Sequence, residues 1–385
     1  MSPAAPIIVL SGVAAATPGQ GGATWAVLQY VLGLEELGCK VFLIEPFSGA
    51  KLTAKGEDIR DSKAARYFRA VVERFGIADR SALLDESTGE TVGLTYEEIL
   101  EAAQSSDLLI NIAGLLKGEQ LLNLIPRRLY LDLDPGFVQL WHTQGVDVGL
   151  SRHTHFATIG LAIGEPGCAI PTCGIDWIKT LQPIVLSHWP VAKQEISKGL
   201  TTIGNWRAYG SIEHEGVFYG QKVHSLRQLR NLPRQLTVPV TVAMSVYSEE
   251  QSEARTLMEC GWQFVDPRLA GTPDDYQHFV QNSWAEIGVA KSGYVAARCG
   301  WFSDRSVAYL ASGRPVIAQD TGFDQYLPCG DGLFSFRTDN DVVLGIEQLE
   351  RDYAGCRHRA RAIAEDYFNS RKVLPALLQQ VEVPL

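Results

Sequence analysis

The chain has 385 residues, 46% of them hydrophobic and 20% charged, with a formal net charge of -10. That length exceeds one ordinary hydrophobic core and points to two domains. The composition excludes a disordered chain, and the acidic balance argues against nucleic acid as a partner, because an acidic surface repels a polyanion.

Seven cysteines, odd in number and scattered, read as reduced thiols of a cytoplasmic protein. The closest pair, Cys168 and Cys173, has no second pair or nearby histidine to complete a zinc set, so no metal is expected. The opening MSPAAPIIVLSG lacks a basic leader region, and no stretch approaches the ~20 apolar residues that span a bilayer. Neither a signal peptide nor an integral membrane segment is expected.

In chain order, PIIVLSG (6–12) reads as a buried strand, and the glycine-rich loop ATPGQGG (16–22) follows it. Residues 23–38 carry apolar side chains at spacings of three and four and stop at Gly38, the pattern of an amphipathic helix. KVFLIEP (40–46) is the next strand. Helical segments at 62–75 and 95–104 lead to the strand DLLINIAG (107–114). A helix near 118–124 and the strand RLYLDLDP (128–135) come next. Strands separated by helices imply a parallel sheet covered on both faces.

From about 164 to 200 the chain is rich in Pro and Gly and has no sustained period, as a domain connection would be. A second strand series follows: TTIGNW (201–206), PVTVAMSV (239–246), GWQFVDP (261–267), AEIGVAK (285–291) and PVIAQD (315–320), with helical segments between them. The residues from Asp339 onward are mostly helical. The expected organisation is an N-terminal Rossmann-like domain over 1–180, a C-terminal one over 181–365, and a helical tail over 366–385 that packs back on the first.

Within the second series, FSDRSVAYLASGRPVIAQDTGF (302–323) is chemically the most pointed stretch. Ser303 suits an N-cap and Gly313 a C-terminal stop, so the N–H groups of Asp304, Arg305 and Ser306 would sit at the positive end of a helix. That end, with the Arg305 guanidinium and the Ser306 hydroxyl, is an expected diphosphate site. PVIAQD then carries Asp320, Thr321, Gly322 and Phe323 beyond its carboxyl end, where ligands of open parallel sheets sit.

This arrangement resembles the GT-B glycosyltransferases, enzymes with two facing Rossmann-like domains. The likeness rests on SVAYLASGRPVIAQDTGFDQYL (306–327), on TPGQGGATWAVLQYVLGLEELGCKVFLIEP (17–46), and on TIGNW (202–206) with YGQK (219–222). It implies an α/β fold of two doubly wound domains facing a cleft, and sugar transfer from a nucleoside-diphosphate sugar, with no cofactor. Gly21 and Gly22 would face the cleft, and Asn205 would lie in the first loop of the donor domain. One departure stands out. Many retaining members carry two glutamates eight residues apart, and the matching positions here are Gly300 and Ala308, with Asp304 one turn before Ala308. Inversion without a metal is therefore the expected course.

Stabilising a departing diphosphate calls for cations. Arg305 leads, with Lys222, Lys291 and Arg298 near the ends of C-domain strands. For a base, Asp132 and Asp134 alternate with leucines along YLDLDPGF, and Asp134 stands at the strand's tip. His153 in SRHTHFATIG is another candidate. Three rivals stand beside transfer: an NAD(P)-dependent oxidoreductase, since GQGGAT with Glu45 ending the next strand nearly imitates a dinucleotide fingerprint, a nucleotide-sugar epimerase, and a non-catalytic sugar-nucleotide binder. The sequence names neither acceptor nor oligomeric state.

Overall fold

The N-terminal half is built on strands β1 (Ile7–Ser11), β2 (Lys40–Phe47), β3 (Ser81–Asp85), β4 (Thr91–Gly93), β5 (Leu108–Ile112), β6 (Arg128–Asp132), β7 (His155–Thr158) and β8 (Ile178–Lys179). The computed structural model describes residues 5–48, 58–193 and 196–385. The eight strands pair in the order β4-β3-β2-β1-β5-β6-β7-β8, all parallel except for β4, which runs antiparallel to β3. The central strands are apolar on both faces: Ile8, Leu10, Leu108, Ile110, Leu129 and Leu131 are buried on one, and Val9, Leu109 and Tyr130 on the other. Helices on both sides of a parallel sheet require that.

The C-terminal half repeats the plan with β9 (Leu200–Asn205), β12 (Val240–Ser245), β13 (Trp262–Val265), β14 (Ala285–Gly288), β15 (Val316–Gln319) and β16 (Leu333–Phe336), all parallel, in the order β13-β12-β9-β14-β15-β16. A short hairpin, β10 (Ile212–His214) with β11 (Val217–Tyr219), interrupts the return from β9. Seven of these strands (β3, β4, β7, β8, β10, β11 and β16) were not anticipated from the sequence. Six of them span four residues or fewer, where periodicity has little length to register; β3 is as long as β1, but its apolar run is only Ala82–Leu84.

The two halves touch closely. The helix Gly21–Glu36 begins inside the expected glycine loop and presses on the other half. A Cβ on Gly21 would overlap the Thr272 carbonyl, and one on Gly22 would come within 2.8 Å of the Tyr276 ring. Trp25 Nε1 donates to the Pro273 carbonyl at 2.8 Å. At the other end of the chain, the helix Ser370–Gln380 lies against Gly33, and Arg371 pairs with Glu36 at 3.2 Å. No described helix is long and apolar enough to cross a membrane.

Candidate active site

In each sheet the strand order reverses direction once, between β1 and β5 and between β9 and β14. Such switch points open a crevice at the carboxyl ends of the strands. Here the two crevices face each other. A cavity of about 310 Å³ has Ala113, Leu133 and Asp134 on one wall and Asn205, Lys222, Lys291 and Asp304 among those on the other. A larger space of about 660 Å³ continues along the ends of β9 and β12 past Ser245 and Tyr247 to Pro267, closed on the opposite side by the turn at Thr17–Ala23. Gly204, Asn205, Ala208, Asp304 and Arg305 line both.

The helix Asp304–Ala311 starts at this junction. Ser303 occupies its N-cap position, but its hydroxyl makes no capping bond; the side chain turned toward the first-turn N–H groups is the carboxylate of Asp304. Arg305 does not reach freely into the cleft. Its Nε donates to Oε1 of Glu286, a fully buried carboxylate in the middle of β14, and its Nη1 donates to the Ile203 carbonyl at 2.9 Å. Lys222 opens the helix Lys222–Gln228 and lays its ammonium against Gly204, where a Cβ would stand 2.7 Å from Nζ. Lys222 is only 8% exposed, and its ammonium makes no hydrogen bond or ion pair among the described residues. Burial pushes its pKa well down, and Arg305 and Lys291 push the same way against Glu286. Asp304 attracts the Lys222 ammonium as Glu286 does, but neither carboxylate bonds it, and a charge buried without a bonded partner is costly.

Asp134 stands where the sequence put it, at the tip of β6, but it is not a free base. Lys291 Nζ lies 3.1 Å from both of its oxygens, and the hydroxyls of Tyr209 and Tyr294 each donate to one of them. Burial lowers the Lys291 pKa, opposed by Asp134. The ammonium also sits 4.2 Å from the centre of the Tyr209 ring, and Trp301 stacks on Tyr294 at 4.2 Å. Three donors thus already occupy this carboxylate, which is committed to the seam between the halves.

The other candidate bases lie away from the cavities. Asp132 is fully buried and accepts from Gln139 Nε2 at 2.9 Å, Thr158 Oγ1 at 2.8 Å and the Asp134 N–H at 2.8 Å. Burial raises its pKa to about 6. His153 bridges Asn111 at 3.0 Å and the Gly149 carbonyl at 2.8 Å, and burial lowers its pKa to about 4. Both hold the sheet end together.

The expected donor loop also turns inward. Asp320 accepts from the Gly322 N–H at 2.8 Å, from Arg337 at 2.8 Å and from Arg298 at 3.1 Å. Thr321 bonds the Trp301 carbonyl, and Phe323 packs on Phe302 with ring centres 5.0 Å apart. Burial alone would raise the Asp320 pKa, but these donors hold it below the ordinary carboxylate value. Asp320, Thr321, Gly322, Phe323 and Arg298 therefore brace the loop at 299–302 and line neither cavity. Ser306 is buried, its hydroxyl unpartnered. Gly21 and Gly22 line the larger cavity through a helix start packed on the other half, not through an open loop. Asp304 remains exposed at the junction, its one side-chain contact being a 3.5 Å bond from the Ser303 hydroxyl.

Sequence reasoning missed Glu286, Tyr209 and Tyr294. Only Glu286 left a signal, a lone charge inside an otherwise apolar strand.

No protein-family model and no curated protein matches the chain. Solved structures do. The alpha-glucosyltransferase of phage T4, with UDP and a 13-mer DNA, is 10% identical, covers 99% of this chain and 100% of its own, and superposes with a TM-score of 0.60. The Anabaena protein Alr3699/HepE with UDP and glucose is 12% identical over 98% and 99% of the two chains, at a TM-score of 0.59. The fold is GT-B. As a GT-B chain, it carries its two doubly wound halves as the resemblance implied. Identity this low shows the fold alone.

The exclusion of nucleic acid needs correcting. A GT-B protein matched over its whole length was solved with DNA, including DNA with an abasic site. A net charge averages over the whole surface and says nothing about one face, so -10 was never a sufficient ground. Among the described residues no group of three or more His, Cys, Asp or Glu side chains could hold a metal ion.

Proposed function

We propose that this chain transfers a glycosyl group from a nucleoside-diphosphate sugar to an acceptor nucleophile. The observation that carries the reading is the unpartnered Lys222 ammonium beside the Glu286–Arg305 pair, at the switch point and next to a helix start that Ser303 leaves uncapped. A diphosphate would complete that charge set: Lys222, the remaining Arg305 donors and the helix N–H groups supply the positive end. The larger cavity, past Ser245 and Tyr247, then takes the nucleoside. Because the matched structures hold UDP or UDP-glucose, UDP-glucose is the first donor to test. We infer that these cations meet the leaving group's charge without a metal.

In the transfer, the bond from C1 to the diphosphate breaks with its electron pair going to the phosphate oxygen. A bond from C1 to the acceptor forms, and the acceptor's proton passes to the departing phosphate. Asp304 is the carboxylate we assign to the charge that grows at C1. It neighbours Arg305, on the leaving group's side of the sugar, whereas inversion needs a base on the opposite face, where Asp134 is tied to Lys291. Retention is the course this geometry supports, in place of the inversion expected from sequence.

The dinucleotide rival fits poorly. Glu45, which would grip a ribose, is fully buried and accepts from the Ala15 N–H at 2.9 Å and the Ala16 N–H at 2.7 Å. The free state of all seven cysteines fits the cytoplasmic location we assign.

The test is incubation with UDP-glucose, following UDP release and the anomeric configuration of the product by NMR. Loss of release in Lys222→Ala and Asp304→Asn, with retained configuration, supports the reading. Free sugar nucleotide changed without UDP release would favour an epimerase, and binding without turnover a non-catalytic binder.

A further inference from the structure

The helix Lys63–Arg74 buries Ala64, Ala65, Phe68, Val71 and Val72 and turns its other side to solvent. On that side stand Lys63, Arg66 and Arg69, preceded by Arg60 in the turn Ile59–Asp61, and all four are exposed. Three-residue spacing places Lys63 and Arg69 about 9 Å apart along the helix axis. None of the four forms an ion pair among the described residues, although other exposed arginines such as Arg74, Arg227 and Arg268 are matched to carboxylates. Arg66 and Arg69 do hold a fixed direction, since each donates to a backbone carbonyl of the preceding turn, Asp61 and Arg60 respectively, and keeps its other donors free. Over 58–74 five cations (Arg60, Lys63, Arg66, Arg69 and Arg74) stand against three exposed carboxylates (Asp58, Asp61 and Glu73), a local inversion of sign in a chain of net charge -10.

Its place is equally specific. Tyr67, in the next helical position to Arg66, bonds Thr24 Oγ1 at 3.0 Å and the Gly271 carbonyl at 3.2 Å. Arg74 pairs with Asp274 across the same seam at 3.0 Å. The helix is thereby fastened to both walls of the larger cavity, beside the turn at Thr17–Ala23 and the segment at Pro267–Ala270.

We propose that this row binds the phosphodiester backbone of a nucleic acid and lays it across the mouth of the cleft. The inference deepens the proposed transfer by naming the acceptor class, and it rests on that reading only for this last step, since binding itself needs no donor. A linear row of cations over two helical turns matches a linear polyanion. An anionic membrane is the poorer fit, because none of the exposed large hydrophobic residues lies on this helix or its preceding turn, so nothing would insert.

The experiment is fluorescence anisotropy of the full chain with a labelled 20-base-pair duplex and its single strand, between 50 and 200 mM NaCl. Four phosphate contacts predict a slope of log K against log salt of about -3.6 for the duplex. The triple variant K63A/R66A/R69A should bind at least tenfold more weakly at 50 mM, with a slope near -0.9. The charge-keeping variant K63R/R66K/R69K should bind as the wild type does, which separates charge from fold. The proposal falls if the wild type does not bind either probe at 50 mM, if the triple variant binds equally well, or if phosphatidylglycerol vesicles sediment the protein while the oligonucleotides do not bind. Thermal stabilisation by UDP-glucose, measured on the same variants, should be unchanged, so that a failure here leaves the donor reading to its own test.

Discussion

Lys291 and Asp134 meet across the cleft, the ammonium 3.1 Å from both carboxylate oxygens, and two tyrosine hydroxyls close the same group from either side. The pair joins the end of β6 in one half to the end of β14 in the other. Its first duty is therefore to hold the halves together. Asp134→Asn removes the charge but keeps the shape, leaving a largely buried ammonium unmatched. Breaking a buried pair in this way costs about 3 kcal/mol or somewhat less here, since both side chains keep some contact with water. Urea unfolding should show that loss. A variant with unchanged stability and abolished turnover would return Asp134 to the role of base.

Lys222 should behave in the opposite sense. Replacing it with Met removes a buried charge that has no partner in the free protein, so Lys222→Met is expected to be as stable as the wild type or more so. Its pKa lies below the unfolded value, so the unfolded chain binds the proton more strongly and the charge destabilises the fold. The gain from Met should be full at pH values below the folded pKa and vanish as pH approaches ~10.4, the unfolded value. Donor binding should suffer regardless: loss of a charge-assisted bond costs about 1.5–3 kcal/mol, on the order of 10- to 100-fold in Kd. Calorimetric titration with UDP decides, and undiminished affinity would remove Lys222 from the site. The wild type should also bind UDP more weakly as pH rises through the folded pKa, because the neutral amine no longer attracts the diphosphate.

Much of the fold was legible in sequence because strands such as IIVLS and VTVAMS are sustained apolar runs bounded by loops. The cluster around Arg305 was legible in part. Helix start, arginine and strand follow one another along the chain, so local chemistry located them. What the sequence could not convey was who faces whom. Asp320 reads as a ligand group at a strand end, yet Arg298 and Arg337 claim it from distant segments. Gly21 and Gly22 read as a phosphate loop, but the demand for glycine comes from Thr272 and Tyr276, some 250 residues away in the chain. Likewise, Tyr209 and Tyr294 acquire meaning only once the two halves close on Asp134.

Two buried carboxyls should leave a mark on stability against pH. Burial raises Glu45 to about 7, against the pull of the Ala16 and Ala15 N–H groups, and Asp132 to about 6. A carboxyl with a folded pKa above its unfolded value keeps its proton where the unfolded chain has lost it. Its contribution is thus fully present below the unfolded pKa and is lost as pH rises through the folded one. The windows run from ~4.3 to about 7 for Glu45 and from ~3.9 to about 6 for Asp132. Relative to Glu45→Gln and Asp132→Asn, the wild type should lose stability as pH rises across these windows. Urea midpoints at pH 4.5, 5.5 and 7 would show it. Parallel curves for wild type and variants would mean that both groups titrate normally.

Gly21 tests whether the closed arrangement depends on backbone contact between the halves. An alanine there would drive its Cβ into the Thr272 carbonyl, and backbone atoms cannot swing aside as a side chain can. Either the halves part or the helix start shifts, and such overpacking costs about 1–3 kcal/mol. Gly21→Ala should therefore raise the radius of gyration in small-angle scattering or lower the Tm. Gly210→Ala is the control, since a Cβ there meets nothing within 4 Å. If the halves part, the turn at Thr17–Ala23 withdraws from the larger cavity, while Lys222, Arg305 and Glu286, all in one half, stay together. Nucleoside-diphosphate binding should then survive while sugar transfer falls, because the acceptor side has moved. Equal loss of both would show that the donor site needs the N-terminal wall as well, and an unchanged scattering profile with full activity would mean that Thr272 yields without consequence.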